Sequence, residues 1–243
     1  MEPLKILVIA TSHSLLNNSS RKTGLWLEEL AVPYYLFKEA GAQITLASPK
    51  GGEVPLDPRS ESIIVSNSTT KRFLKDQEGM HLLNHSVQVG AQHAEDFNFV
   101  LLLGGHGSMW DFVDNPTLKT LLEHFNQRHQ WIGAVGHGVA GLLSVTNRMG
   151  ALLAKNRQLT ASSNSEEQIL GSTQLIPFLL ESKLIELGAA YTKGTDFLSH
   201  VIVDGTIITG QNSASAKAVA KGLLSTPKES PRHIVQSGLP VNN

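Results

Sequence analysis

Four short runs of β-branched and apolar residues, KILVIATS (5–12), QITLAS (43–48), FVLLLGG (99–105) and WIGAV (131–135), alternate with longer amphipathic segments. Strands that read as continuous apolar runs are buried on both faces. This rhythm therefore restricts the chain to an α/β fold, a doubly wound, mostly parallel sheet sandwiched by helices. A fifth run, QLTAS (158–162), extends the series. In HVIVDGTIITG (200–210), Asp204 and Gly205 lie between two alternating apolar runs, which predicts a hairpin at the edge of the sheet. Helices are expected over 26–40, 117–128, 137–143, 175–187 and 214–224. Asn115 before Pro116 predicts an N-cap followed by an N1 proline, and Gly41 and Gly188 predict C-terminal stops. Pro33 is expected to kink or restart the first helix.

Residues 1–224 read as one domain. Within it, 51–96 is a polar insertion with short helices near 70–74 and 78–83, placed to cover one end of the sheet as a lid. Residues 225–243, rich in Pro, Ser and Lys and without a period, read as an extended tail. A length of 243 residues with 41% hydrophobic content is enough to bury a core without staples. Twenty basic against twenty-one acidic residues, with no basic segment, leave no electrostatic footprint for nucleic acid or an anionic membrane. The N-terminal apolar run is too short for a signal peptide or a membrane span, so a cytoplasmic location is expected. The chain has no cysteine, which excludes disulfides, thiolate metal sites and thiol nucleophiles together.

Ligands of open parallel sheets bind beyond the carboxyl ends of the strands, and three loops at that edge carry unusual chemistry: GGHGSMWDF (104–112), VGHG (135–138) and SSNSEEQ (162–168). VGHG follows a strand and opens a predicted helix in the manner of a nucleophile elbow, yet its apex, Gly136, has no side chain. The amides of His137 and Gly138, with the GGHG turn, could still hold an oxyanion or carboxylate. The competing reading is that both glycine turns only permit close strand–helix packing.

Taken in order, KTGLWLEE, LASPKGG, PLDP, GGHGSMWDF, AVGHG, SEEQILG and DGTIITGQN resemble the ThiJ/PfpI superfamily, in its glyoxalase III and heat-shock chaperone branch. The resemblance implies a flavodoxin-like, class I glutamine amidotransferase-like fold. It places Gly136 at the position of the nucleophilic cysteine and His137 at that of the adjoining histidine. Glu167 matches the acidic partner of that histidine, and Glu29 the glutamate that hydrogen-bonds the thiol. Gly105, with the His137 backbone, matches the oxyanion hole, and His106, Gly107 and Trp110 complete the expected binding loop. Glycine supplies neither thiolate nor hydroxyl, so cysteine-dependent glyoxalase, deglycase or peptidase chemistry at Gly136 is excluded.

Three functions follow from this combination. The first is a cofactor-independent, non-thiol enzyme that uses Glu29 as general acid/base with a backbone oxyanion hole, for a lyase, hydratase, isomerase or cyclase step on a small carbonyl compound. The second is a catalytically inactive holdase chaperone or small-molecule binder. The third is a glyoxalase III-like enzyme whose cysteine was replaced by engineering. The expected partners are a small-molecule carbonyl substrate or ligand and a second copy of the chain. No cofactor and no metal are expected. His81 and His85 have the i, i+4 spacing of a metal clamp, with His93 following, but no carboxylate accompanies them in a ligand motif. Trp26, Tyr34, Tyr35 and Trp110 either line a pocket or fill the core, and no phosphate-binding glycine motif is present.

Overall fold

The apolar runs assemble into a seven-stranded sheet in the computed structural model, which describes residues 2–17, 20–62 and 67–226. In chain order the elements are β1 (Lys5–Ile9), α1 (Leu27–Glu39), β2 (Gln43–Ser48), α2 (Ser68–Phe73), α3 (Gln77–Asn84), β3 (Val87–Gln88), β4 (Phe99–Leu102) and α4 (Ser108–Asp111). They continue with α5 (Pro116–Gln127), β5 (Trp131–Val135), β6 (Gln158–Leu159), α6 (Asn164–Ile169), α7 (Leu180–Glu186), β7 (Ala190–Tyr191), β8 (Val201–Asp204), β9 (Ile207–Gly210) and α8 (Ala216–Leu224). The sheet order is β3-β2-β1-β4-β5-β9-β8. Every pairing is parallel except the edge hairpin β8–β9, whose turn places Gly205 at φ 59°.

Alternation along the strands builds two cores. Ile6, Val8, Phe99 and Leu101 face α1 and α8, where Leu27, Leu30, Ala31 and Tyr34 form a helical stripe. Leu7, Ile9, Val100 and Leu102 face α5 through Leu118, Leu121, Leu122 and Phe125, again at i, i+3, i+4, i+7. Each buried leucine or phenylalanine contributes about 1.5–3 kcal/mol by leaving water, so these stripes dominate the sheet's stability. Asn115 caps α5 by accepting from the Thr117 and Leu118 amides at 3.1 Å, and Pro116 occupies N1. Gly41 (φ 71°) and Gly188 (φ 86°) end their helices in left-handed turns. In both turns the next amide, of Ala42 or Ala189, reaches back to Phe37 O or Leu184 O. Among the described residues no helix is long and apolar enough to cross a membrane.

Local expectations fail where a side chain or a proline competes with the backbone. The run 158–162 does not join the main sheet: only Gln158–Leu159 is a strand, paired in parallel with β7 in a separate two-stranded sheet. The chain leaves the ladder at Thr160, whose amide donates to the Thr209 hydroxyl at 3.0 Å. The helix expected over 175–187 begins only at Leu180, because Pro177 disfavours helical geometry in the residue before it. α1 runs unbroken through Pro33, which is buried against its neighbours; lacking an N–H, it leaves the Glu29 carbonyl without a helix bond from that position. The segment 51–96 packs α2 beside α1, where Phe73 meets Tyr34 and Tyr35 edge-on, and it adds β3 to the edge of the sheet. The tail expected over 225–243 lies outside the described residues from 227 onward.

Candidate active site

The loops following β4 and β5, the start of α1 and the segment leading into α6 converge beyond the carboxyl ends of the strands. They enclose a cavity of about 480 Å³ lined by Trp26, Glu29, Gly105, His106, His137, Ser162, Glu167, Leu170 and Phe197, among others. Close backbone approach makes the convergence possible. A Cβ on Gly104 would stand 2.7 Å from Val135 O and 2.8 Å from His137 N, and one on Gly105 (φ 101°) only 2.2 Å from Gly24 O.

Residues 136–142 form a 3-10 turn rather than the α-helix expected from His137. Three glycines in seven residues weaken α-helical propensity. Tight packing on β4 adds to this, since a Cβ on Gly138 would lie 2.5 Å from Leu102 O. Gly136 adopts φ 53° at the start of the turn, and a Cβ built there would stand 3.0 Å from Glu29 Oε1 and 3.5 Å from Ser162 Oγ. The Gly105 and His137 amides take no part in the loop and cap hydrogen bonding of the described residues.

Glu29 enters from the first turn of α1 and is 3% exposed. Its Oε2 accepts the Gly104 N–H at 2.7 Å. Burial pushes its carboxyl up to about 7, overcoming the lowering effects of that hydrogen bond and of the His137 charge. Because Oε2 is the acceptor, the proton of the neutral acid sits on Oε1, the atom facing the volume above Gly136.

Glu167, in the same lining, accepts from His137 Nε2 at 2.5 Å and from His106 Nε2 at 3.0 Å, and the Ser172 hydroxyl also donates to it. Burial works to raise this carboxyl, but the His137 charge and the hydrogen bonds from both histidines outweigh it and hold Glu167 well below the usual carboxylate range. Arg59 Nη2, which can only donate, lies 2.7 Å from His106 Nδ1. That contact requires Nδ1 to accept, so Nε2 carries the proton given to Glu167. Burial and the His137 charge lower the pKa of His106, favouring this neutral form. Among the described residues His106, His137 and Glu167 also form the group able to share a cation, their ligand atoms lying within 4.8 Å of one another. Both Nε2 atoms already bond the carboxylate and Arg59 adds positive charge beside it, so the arrangement is that of a proton network.

The structure thus brings together Glu29, Gly105, His106, Gly136, His137 and Glu167. Gly107 and Trp110 stand apart from the cavity lining: Gly107 packs against the His13 backbone and the Thr11 side chain, and Trp110 stacks on the His13 ring at 4.7 Å. Their separation corrects the sequence reading, because the chain turns into α4 directly after His106. Tyr34 and Tyr35 belong to the core, whereas Trp26 lines the cavity. His81 and His85 stack on each other at 4.3 Å on an exposed helix end, and the His81 carbonyl lies 3.0 Å from His85 Nδ1. Sequence reasoning missed Arg59 and Ser162, although both lie in or beside quoted motifs, PLDP and SSNSEEQ. It also missed Glu166, which accepts from the Ser163 and Phe197 amides and from the Gln211 and Asn212 side chains, and so anchors the wall that carries Phe197.

A flavodoxin-like parallel sheet with a buried acid, a histidine and glycine-rich turns at its carboxyl edge defines the class of protein. The DJ-1/PfpI family model matches residues 23–226, and the chain belongs to that family. Its relatives include the glutathione-independent glyoxalase hsp3101 of Schizosaccharomyces pombe, 27% identical over 90% of this chain and 94% of the relative. Among solved structures, the rapid encystment protein of Francisella tularensis is 35% identical with a TM-score of 0.86, covering 90% of this chain and 97% of that one. The glyoxalase III structure from Candida albicans shares the fold at a TM-score of 0.83 and 24% identity, over 91% and 96% of the two chains.

Proposed function

We propose that the protein is a cofactor-independent, non-thiol enzyme acting on a small carbonyl compound. Glu29 moves a proton, and the Gly105 and His137 amides meet the oxygen that gains charge. The reaction belongs to the lyase, hydratase, isomerase or cyclase type, in which a proton is shifted next to a carbonyl. The observation that carries this reading is the state of Glu29: a buried carboxyl balanced near pH 7, with Oε1 facing the space above Gly136. An acid with a pKa close to the working pH can both give and take a proton. The curated names of relatives, glutathione-independent glyoxalases, support a small α-oxoaldehyde as the first substrate to try. Glu29→Gln keeps the shape and removes the exchangeable proton, so turnover of methylglyoxal and related α-oxoaldehydes should fall by about 10²–10⁴-fold. Turnover unchanged in that variant would overturn the assignment.

A second reading, a noncatalytic binder or holdase, draws on the exposed apolar side chains Ile169, Leu170, Phe197 and Leu198, two of which line the cavity. Suppression of client aggregation by the Glu29→Gln protein as strong as that of the unmodified protein would favour it.

A further inference from the structure

The site described above has a general base with nothing to deprotonate at Gly136, but it does not lack a hydroxyl. Ser162 borders the same volume. Its Oγ lies 3.3 Å from His137 Nδ1, and that ring nitrogen is its hydrogen-bond partner among the described residues. The rest of the network fixes the far side of the ring. Glu167 is held as a carboxylate and can only accept, so His137 Nε2 donates to it. In the ring's neutral form, the form that acts as a base, the Nδ1 lone pair faces Ser162 and the serine hydroxyl is the donor. Ser162, His137 and Glu167 stand in the relation of nucleophile, base and orienting acid, with distances of 3.3 Å and 2.5 Å between successive members. The longer of these is of the kind that tightens when substrate binds.

Position supports the same role. Ser162 Oγ is 3.5 Å from the place a Cβ on Gly136 would occupy, so it borders the volume a side chain there would have filled. It lines the cavity together with Gly105 and His137. Thr160 and Ser163 hold the segment on either side. The Thr160 amide is fixed to Thr209, and Ser163 caps α6 reciprocally with Glu166, so Ala161 and Ser162 between them are held from both ends.

We propose that Ser162 is the nucleophile of this site, supplied by a different loop from the one that forms the elbow. This rests on the acid/base reading of Glu29 and extends it. Ser162 Oγ bonds to the carbonyl carbon of a small aldehyde, and the π pair moves to the carbonyl oxygen, facing the Gly105 and His137 amides. The hydroxyl proton passes to His137 Nδ1 and from there to the oxyanion, giving a neutral hemiacetal with no leaving group and no external reactant. Glu29 is then placed to move the proton next to the second carbonyl.

Two probes test this without knowledge of the natural substrate. A fluorophosphonate should form a stable Oγ–P bond at Ser162, with fluoride leaving and the proton taken by His137. Intact mass and peptide mapping should show one adduct, absent in Ser162→Ala and slowed at least tenfold in Glu167→Gln. Because the chain has no cysteine, Ser162→Cys installs a single thiol. Its alkylation by iodoacetamide at neutral pH should exceed that of a free cysteine peptide about tenfold, with a titration midpoint below the usual thiol value. Combining it with His137→Asn should restore the ordinary midpoint. Absence of the adduct at Ser162, or an ordinary thiol midpoint in a folded Ser162→Cys protein, would overturn the nucleophile. Glu29→Gln should keep the adduct while losing turnover. Turnover retained in that variant refutes the acid/base reading, whereas an absent adduct refutes only Ser162.

Discussion

Two glutamates line the same cavity, and their surroundings drive them to opposite states. Glu29, met by one backbone N–H and otherwise desolvated, is pushed up to about 7. Glu167 is also buried, but the charge of His137 and hydrogen bonds from both imidazoles outweigh desolvation, and it stays ionised. The charge of His137 and the hydrogen bonds of both imidazoles, set against burial, separate a fixed charge from a proton carrier, and pairs of carboxyls so separated divide acid/base work between them.

The largest effect should come from removing the fixed charge. Glu167→Gln leaves two buried imidazoles without their carboxylate; breaking such a buried pair costs about 3–5 kcal/mol and should lower the melting temperature by roughly 10 °C in calorimetry. Turnover should fall as well, because His137 loses the group that orients it. A melting temperature within a degree or so of the original would mean that the His106–Glu167–His137 network carries little energy.

A somewhat smaller effect tests the other carboxyl. A raised pKa means that the folded state holds its proton more tightly than the unfolded chain does. The stability Glu29 contributes is therefore complete below the unfolded value of 4.5 and is lost as pH rises through about 7. The loss is about 3 kcal/mol. Urea titrations at about pH 4 and about pH 8 should show that much more decline in the unmodified protein than in Glu29→Gln. Parallel pH dependence in the two would show that Glu29 is an ordinary carboxylate and erase the contrast with Glu167.

The smallest change is made between the two acids. Gly136→Cys forces a side chain into φ 53° and brings its Cβ to 3.0 Å from Glu29 Oε1, so it should cost roughly 1–2 kcal/mol in thermal or denaturant unfolding. The same variant places a thiol beside Glu29 and His137, and it should increase methylglyoxal consumption if the remaining groups form a complete glyoxalase-type site. Consumption no higher than that of the unmodified protein would show that the surrounding groups are set for another reaction.

Much of this was legible along the chain. The apolar runs at 5–12, 99–105 and 131–135 predicted central strands because burial on both faces needs no polar alternation, and Asn115–Pro116 predicted the start of α5 because that cap is a local matter of three residues. The motif series paired His137 with Glu167 and placed Glu29 beside Gly136, as the structure has them. Ser162 was obscured because QLTAS has the composition of a strand. Only a bond from Thr160 to Thr209, some fifty positions away, shows that the chain leaves the ladder there and turns the serine into the cavity. Arg59 was missed for a similar reason: its contact with His106 spans two segments with no common period.

Residue order was enough to exclude thiol chemistry and to place a bare turn at the mouth of a parallel sheet, because composition and short-range periodicity are properties of neighbouring residues. The protonation of Glu29, the tautomer of His106, and the meeting of Ser162 with His137 arose only on folding. Desolvation and hydrogen-bond direction depend on distances between residues 29, 59, 104, 137, 162 and 167, which the chain brings together from five separate segments.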